Sequence, residues 1–432
     1  MYTILCYIYF IILTIMAIKY LSRPTVYISS PYDKNVTLQI SGIEMLLIFI
    51  FATGLIALMP VLSIRLAILE VLCLIGISRS VNKPIITPAF KLWILFFIWI
   101  TIGLFYTASL TYGIRMILKY IYPFLLALFA SAVVRDEEIF LKATLLGRKI
   151  ALFSLVVFFI PGMLFLFSGV FWNKAAVATH YITLCMFSLG LFYFSNEKRK
   201  NLICFILFLL PCYLWVFRTN IMGSMIALTV FAFIRYRFKS IPFILLFAFL
   251  SIASIFYIPS VKKKMYFRPD EVTITDFLTG NVDENNINTS GRENVWKAVT
   301  PFYENNKLVG AGTGTVQDFT YNKMKSLIGV GGEGAQIHSD FLLLLCDNGV
   351  IGLILYLLPY IAALFHCLTT YHRSQSNVTR LCAVVTASSM FGILVTMYSD
   401  NTVSYSMATL SYPWGLYGMM LGLKETENDN KE

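Results

Sequence analysis

Apolar and polar positions alternate on the scale of whole segments rather than single residues. Apolar runs of roughly 17 to 25 residues recur along most of the chain, each long enough to cross a hydrocarbon core. They fall near 3–20, 43–61, 64–78, 91–107, 115–134, 150–170, 178–195, 201–217, 220–235, 240–259, 340–366, 380–398 and 405–423. Between 43 and 78, Pro60 and Arg65 interrupt the pattern, which leaves a helical hairpin or a span with a short interfacial helix. The pattern predicts an all-α fold, a polytopic transmembrane helical bundle of 12–13 spans. One long polar segment near 260–339 divides it, so four regions are expected: N-terminal transmembrane helices 1–259, a loop 260–339, C-terminal transmembrane helices 340–423 and a disordered tail 424–432. The loop carries many aromatics, Trp296, Phe302, Tyr303 and Phe319 among them, enough apolar surface to pack as ordered structure with short helices.

Composition agrees: 58% of the 432 residues are hydrophobic and 13% charged, far from the soluble average of about a quarter charged. The first run, 3–18, has no basic residue ahead of it and no small-residue cleavage site behind it, so it reads as a retained span. The net charge of +11 does not point to nucleic acid, because the basic residues sit in short connections between spans. Fifteen Lys and Arg lie in the connections near 79–91, 135–149, 198–200, 235–239 and 373–380, against five in the alternate set, namely Arg65, Arg115, Lys119, Lys174 and Arg218. That bias puts the first set in the cytoplasm and the large loop outside. Lys262, Lys263 and Lys264 run against the rule on the outer side, where long loops follow it poorly. The eight cysteines form neither a disulfide framework nor a C-x-x-C motif and read as small core hydrophobes.

Polar chemistry concentrates between Ser290 and Gly352. Ser290-Gly-Arg-Glu293 has the form of a capping box and predicts a helix from Gly291. Arg292, Trp296, Val299 and Tyr303 then share one helical face, so the arginine points toward the protein body, as a functional group or as a cap on a neighbouring carbonyl. Gly310-Ala-Gly312-Thr-Gly314 lacks the βαβ surroundings of a dinucleotide site; a tight turn with amides that could approach an anion is the better reading. His338 precedes an apolar run that Ser339 or Asp340 can cap, and a helix N-terminus disfavours a charged imidazole, which suits a general base. Arg218 opens one span, while Arg115 and Lys119 lie one turn apart at the outer end of another. Ionisable groups in such places face a cavity, each other or the headgroups. Cations gathered beside a neutral histidine make a diphosphate site, with guanidinium forks gripping phosphate oxygens in pairs. The chain has no D-x-D sequence, so no metal is expected and arginines take the part a cation would play.

His338-Ser339, nine residues, Gly349, two residues and Gly352 resembles the signature of bacterial O-antigen ligases and their relatives, the oligosaccharide polymerases and protein O-glycosylating transferases. Ser290-Gly-Arg292, Trp296, the Gly310-x-Gly312-x-Gly314 turn and the arginine at 218 are similar to that family as well. The resemblance implies a metal-independent, inverting membrane glycosyltransferase of the GT-C type in the inner membrane, with no cofactor and its active site on the periplasmic side. It implies an undecaprenyl-diphosphate-linked glycan as donor, and as acceptor a sugar hydroxyl of the lipid A core or a growing glycan. Arg218 and Arg292 would hold the diphosphate, His338 would activate the acceptor, and Asp347 would pair an arginine or orient the site. Arg115 would match a basic position on an earlier span. Thr219-Asn220 and Ser339 depart from the family's commoner residues.

Two readings compete with a ligase. A repeat-unit polymerase differs in its acceptor, and a transporter of lipid-linked sugars predicts broken-helix repeats with charge at the midplane. Here the charge gathers at one face of the membrane.

Overall fold

Helices make up nearly all of the architecture, and their ends follow local chemistry. The computed structural model describes residues 2–58, 62–167, 169–283, 286–289, 291–324 and 336–429. α1 (Tyr2–Ser22) leads into an antiparallel hairpin, β1 (Thr25–Ser29) and β2 (Thr37–Ser41), paired from Thr25↔Ser41 to Ser29↔Thr37. This hairpin has no counterpart in the apolar pattern, because it lies in a connection. It is fastened to the bundle by Lys142, which donates to Ser29 O at 2.9 Å, and by Ser30, which donates to Glu138 at 3.1 Å. Ser41 and Glu44 then form a reciprocal capping box that starts α2 (Gly42–Ala52).

The interrupted 43–78 region is a helical pair, α2 and α3 (Leu62–Arg79). Pro60 lies outside the described residues. Arg65 is buried at the break, where its guanidinium donates to the Ile56 and Thr53 carbonyls of the turn that follows α2. It is therefore a structural cation rather than an outer-loop charge. The bundle continues through α4 (Pro88–Ile102), α5 (Leu110–Val133), α6 (Glu137–Phe159), α7 (Pro161–Leu166), α8 (Lys174–Phe194), α9 (Lys198–Leu214), α10 (Arg218–Tyr236) and α11 (Ile241–Tyr257). The large loop holds α12 (Pro259–Met265), α13 (Ile274–Thr279), α14 (Arg292–Asn305) and α15 (Thr315–Asp318), and after it come α16 (Asp340–Arg373), α17 (Asn377–Thr396) and α18 (Ser411–Asp429).

Among the described residues, six helices are long and apolar enough to cross a membrane: Pro88–Phe105, Leu110–Val133, Lys174–Phe194, Arg218–Ser240, Asp340–Arg373 and Asn377–Thr396. The other expected spans are helices too, but α9 and α11 are 17 residues long and α3 carries Arg65, Glu70 and Arg79. The fold is a polytopic helical bundle. Its centre is aromatic, with Trp93, Phe96, Tyr120, Tyr356, Tyr360 and Trp414 in successive edge contacts and the Tyr356 and Tyr360 hydroxyls 2.9 Å apart.

The expected disordered tail is a correction. Lys424–Asp429 continue α18, and Glu427 accepts from Ser374 Oγ at 2.5 Å and from the Gln375 amide at 2.6 Å. Those acceptors satisfy the connection between α16 and α17 and hold the helix end in place.

Two joints position the functional side chains. α10 and α17 cross where Gly223 meets Gly392, so closely that a Cβ on either would come within 2.7 Å of the other's carbonyl oxygen. That crossing brings the first residue of α10, Arg218, level with the end of α17. Next, the Asp340 amide donates to Met397 O at 2.9 Å, and Asp340 Oδ2 accepts from Thr402 Oγ1 at 2.6 Å and Val403 N at 3.1 Å. The start of α16 and the turn after α17 are thereby one unit.

Candidate functional site

The large loop is ordered through several short helices: α12 (Pro259–Met265), α13 (Ile274–Thr279), α14 (Arg292–Asn305) and α15 (Thr315–Asp318), the last continued by a π-helical turn Phe319–Lys323. Ser290 lies outside the described residues. α14 starts one residue later than the capping box predicts, with Gly291 as its cap in the left-handed region at φ 77°. Glu293 pairs with Lys297 at 2.5 Å. The expected apolar face is present, with Val299 fully buried and Trp296 donating from its indole to Ile337 O at 2.7 Å. That bond ties α14 to the residue before His338.

Arg218, Arg292 and His338 come together here. Arg292 donates to Ser399 O at 2.6 Å, and Arg218 donates to Asn288 O at 2.7 Å. The two guanidinium groups lie close enough for each charge to act on the other, and Arg292 acts likewise on His338. Lys264 completes a cationic trio: its ammonium donates to Trp215 O at 3.2 Å and lies over the Phe217 ring. Burial and the charges of Arg218 and Arg292 push its pKa down. Burial also lowers the pKa of Arg292, against the pull of Asp400. A neutral carbonyl partner leaves the charge of each cation in place. The trio is therefore a local concentration of positive charge.

His338 sits at φ 54°, in the left-handed region that a non-glycine residue adopts only when its surroundings hold it there. The holder is Asn401, 4% exposed, whose Oδ1 accepts the His338 backbone N–H at 3.0 Å and whose Nδ2 lies 3.1 Å from His338 Nδ1. Ser339 caps α16 through its hydroxyl as expected, accepting from Leu342 N at 3.2 Å. The pKa of His338 is lowered, first by burial and then by Arg292, with Asp400 opposing. A neutral imidazole was expected from the helix dipole; the larger causes are desolvation and a neighbouring cation. Asp400 is itself nearly buried, and its carboxyl pKa is raised by that burial despite the Asn401 amide at 2.8 Å, His338 and Arg292.

The remaining expected residues do other work. Asp347 does not meet an arginine: its two oxygens accept the amides of Gly314 and Val316, each at 2.9 Å. Gly310 and Gly312 do not offer amides to an anion either, because those amides donate to Asn306 O at 2.8 Å and Asp347 O at 2.9 Å. The glycine turn is a clasp, laid against Asp347 and Asn348 so closely that a Cβ on Gly310 would enter their backbone. Thr313 adds bonds to Ile100 O at 2.8 Å and from Asn348 at 2.7 Å, fixing loop to bundle. Arg115 is exposed, 5.3 Å from the Tyr112 ring, while Lys119 is buried with Met116 sulfur 3.9 Å away. The electrostatic neighbours of Lys119 are Asp340 and Arg115. Thr219 and Asn220 are buried, and Asn220 donates to Thr179 Oγ1 at 2.9 Å, pinning α10 to α8.

Residues 202–357 match the family described as O-antigen ligase. That stretch of the chain is thereby similar to the O-antigen ligase and polymerase superfamily. The matched stretch runs from α9 into α16 and takes in Arg218, Arg292, the glycine clasp and His338, whereas Asp400 and Asn401 lie beyond its end. No curated protein matches the chain. Six candidate spans together with this match describe a multi-pass membrane protein. Lys264, Asp400 and Asn401 are the functional candidates that sequence reasoning missed. Lys264 stood out only as a breach of the charge rule, and Ser399, Asp400 and Asn401 fall in the gap between the apolar runs 380–398 and 405–423.

Proposed function

We propose that the chain transfers a glycan from an undecaprenyl-diphosphate carrier to an acceptor hydroxyl at the periplasmic face, with inversion and without a metal. The acceptor is a sugar of the lipid A core, which makes the protein an O-antigen ligase. The observation that carries this reading is the gathering of Arg218, Arg292 and Lys264 beside His338, with Asp400 as a counter-charge on one of them. A field of that sign fits a diphosphate, whose departure is eased when its growing charge meets fixed guanidinium groups. Arg218 and Arg292 hold the diphosphate in pairs of oxygens, Lys264 adds a point charge, and His338 stands at the reacting centre. The carrier's isoprenoid tail remains in the bilayer.

The test is replacement of His338 or Arg218 by Ala in the native host, with surface polysaccharide resolved on a gel. Loss of long-chain glycan from the lipid A core, with lipid-linked polymer accumulating, is the expected result. Accumulation of single repeat units would mean a polymerase, and unchanged glycan in both variants would overturn either reading.

A further inference from the structure

The hydrogen bonds around His338 have a direction, and one end of the chain of bonds is fixed. A backbone N–H can only donate, so the contact from His338 N to Asn401 Oδ1 at 3.0 Å sets which side of the Asn401 amide carries oxygen. The other side is then an NH2 group. It donates to Gln336 Oε1 at 2.7 Å and faces His338 Nδ1 at 3.1 Å. The Gln336 oxygen is oriented in turn by the Tyr405 hydroxyl at 3.5 Å, which accepts from Asn173 at 2.8 Å. Two N–H groups cannot face each other across the Asn401–His338 gap, so Nδ1 must offer its lone pair. Among the described residues, Nε2 has no hydrogen-bond partner in the protein.

We infer that Asn401 is a positioning residue that locks the neutral His338 ring in the Nε2–H tautomer, so that the imidazole meets the substrate as a hydrogen-bond donor rather than as a base. The inference rests on the function proposed above and specifies how its histidine works. The Nε2–H group donates to a phosphate oxygen of the carrier, beside Arg292. In the transfer, the bond from the acceptor oxygen to the anomeric carbon forms as the bond from that carbon to the phosphate oxygen breaks. The departing diphosphate takes the electron pair of the broken bond, while the proton of the acceptor hydroxyl, released on the opposite face of the sugar, passes to solvent water. The imidazole is unchanged at the end. A base role would require the opposite tautomer, with Nδ1–H pressed against an amide NH2.

Nitrogen-15 spectra of the full-length protein in lipid nanodiscs, labelled at histidine, test this directly. The chain has four histidines, and His338→Gln identifies the relevant pair of signals by their disappearance. At neutral pH the expected result is a lone-pair-type signal at Nδ1 and a protonated signal at Nε2. Asn401→Asp keeps an oxygen for the His338 amide but puts a second acceptor opposite Nδ1. It should reverse the two signals and lower turnover by about 10²-fold or more, the usual worth of a correctly placed proton, while binding of a lipid diphosphate is kept. A wild-type ring protonated at Nδ1 would overturn the inference. So would an Asn401→Asp enzyme with reversed signals and unchanged turnover. Neither outcome touches the cationic site, whose failure would appear instead as unchanged activity in the arginine variants.

Discussion

Each ionisable side chain at the site is read through what its neighbours already use. Arg292 donates to Ser399 O, and its charge adds to burial in lowering the His338 pKa. Because burial and Arg292 both lower the His338 pKa, the active neutral form should persist below the ordinary histidine range. Arg292→Gln removes one of those causes and leaves Asp400, which acts in the other direction. The acid limb of the residual activity should therefore move to higher pH, as a pH profile of kcat/KM would show; a limb that stays or moves down would contradict the assignment. Asp347 illustrates the opposite case, a carboxylate whose acceptors are fully committed to Gly314 and Val316. In Asp347→Asn one amide would face an NH2 group, at a cost of about 1–3 kcal/mol, read as a lower midpoint in thermal unfolding. From sequence, an aspartate near the motif histidine looks like a site residue; only the location of two backbone amides distinguishes a clasp from a ligand.

At the scale of elements, helix type and place were largely legible, because a membrane helix announces itself by length and apolar content. The connections were not. The hairpin of β1 and β2 is ten residues of mixed polarity, held by bonds to α6 that no local pattern encodes. The tail read as disordered is helical because Glu427 meets donors from another connection. α16 shows how a motif glycine acts through geometry. Gly349 breaks the helix at φ 67°, ψ −172°, a conformation open to glycine alone, and a Cβ there would run into the Leu308 carbonyl. The break also lets Val350 N reach Lys307 O at 2.9 Å, joining α16 to the end of α14. Gly349→Ala should destabilise the protein by about 3 kcal/mol or more and loosen the loop, detectable as faster amide exchange across α14; unchanged protection there would count against the clasp.

For the whole molecule, the large loop meets the start of α10 and the end of α17 through Arg218 and Arg292, and the charge rule predicts the opposite side of the membrane for the fifteen basic residues in and beside the other connections. α17 separates the two sides by its 20 residues, about 30 Å of helix and the thickness of a hydrocarbon core. Lys264, the apparent breach of the charge rule, belongs with Arg218 and Arg292 because it joins the trio. All eight native cysteines are buried, so single added cysteines can report sidedness with little background. Asn281→Cys in the loop should react with an impermeant maleimide on intact spheroplasts, and Gln375→Cys between α16 and α17 only after permeabilisation. Equal labelling at both would contradict this orientation.

The central claim is that the clustered cations stabilise a departing lipid diphosphate. Its most direct measurement is single-turnover glycan transfer by the purified protein in lipid nanodiscs, from a synthetic lipid-diphosphate donor, comparing wild type with Arg218→Ala and Arg292→Ala. Loss of transition-state stabilisation by about 10²-fold or more in each variant, with helical content intact, is the predicted result. Transfer at wild-type rates in both would contradict it.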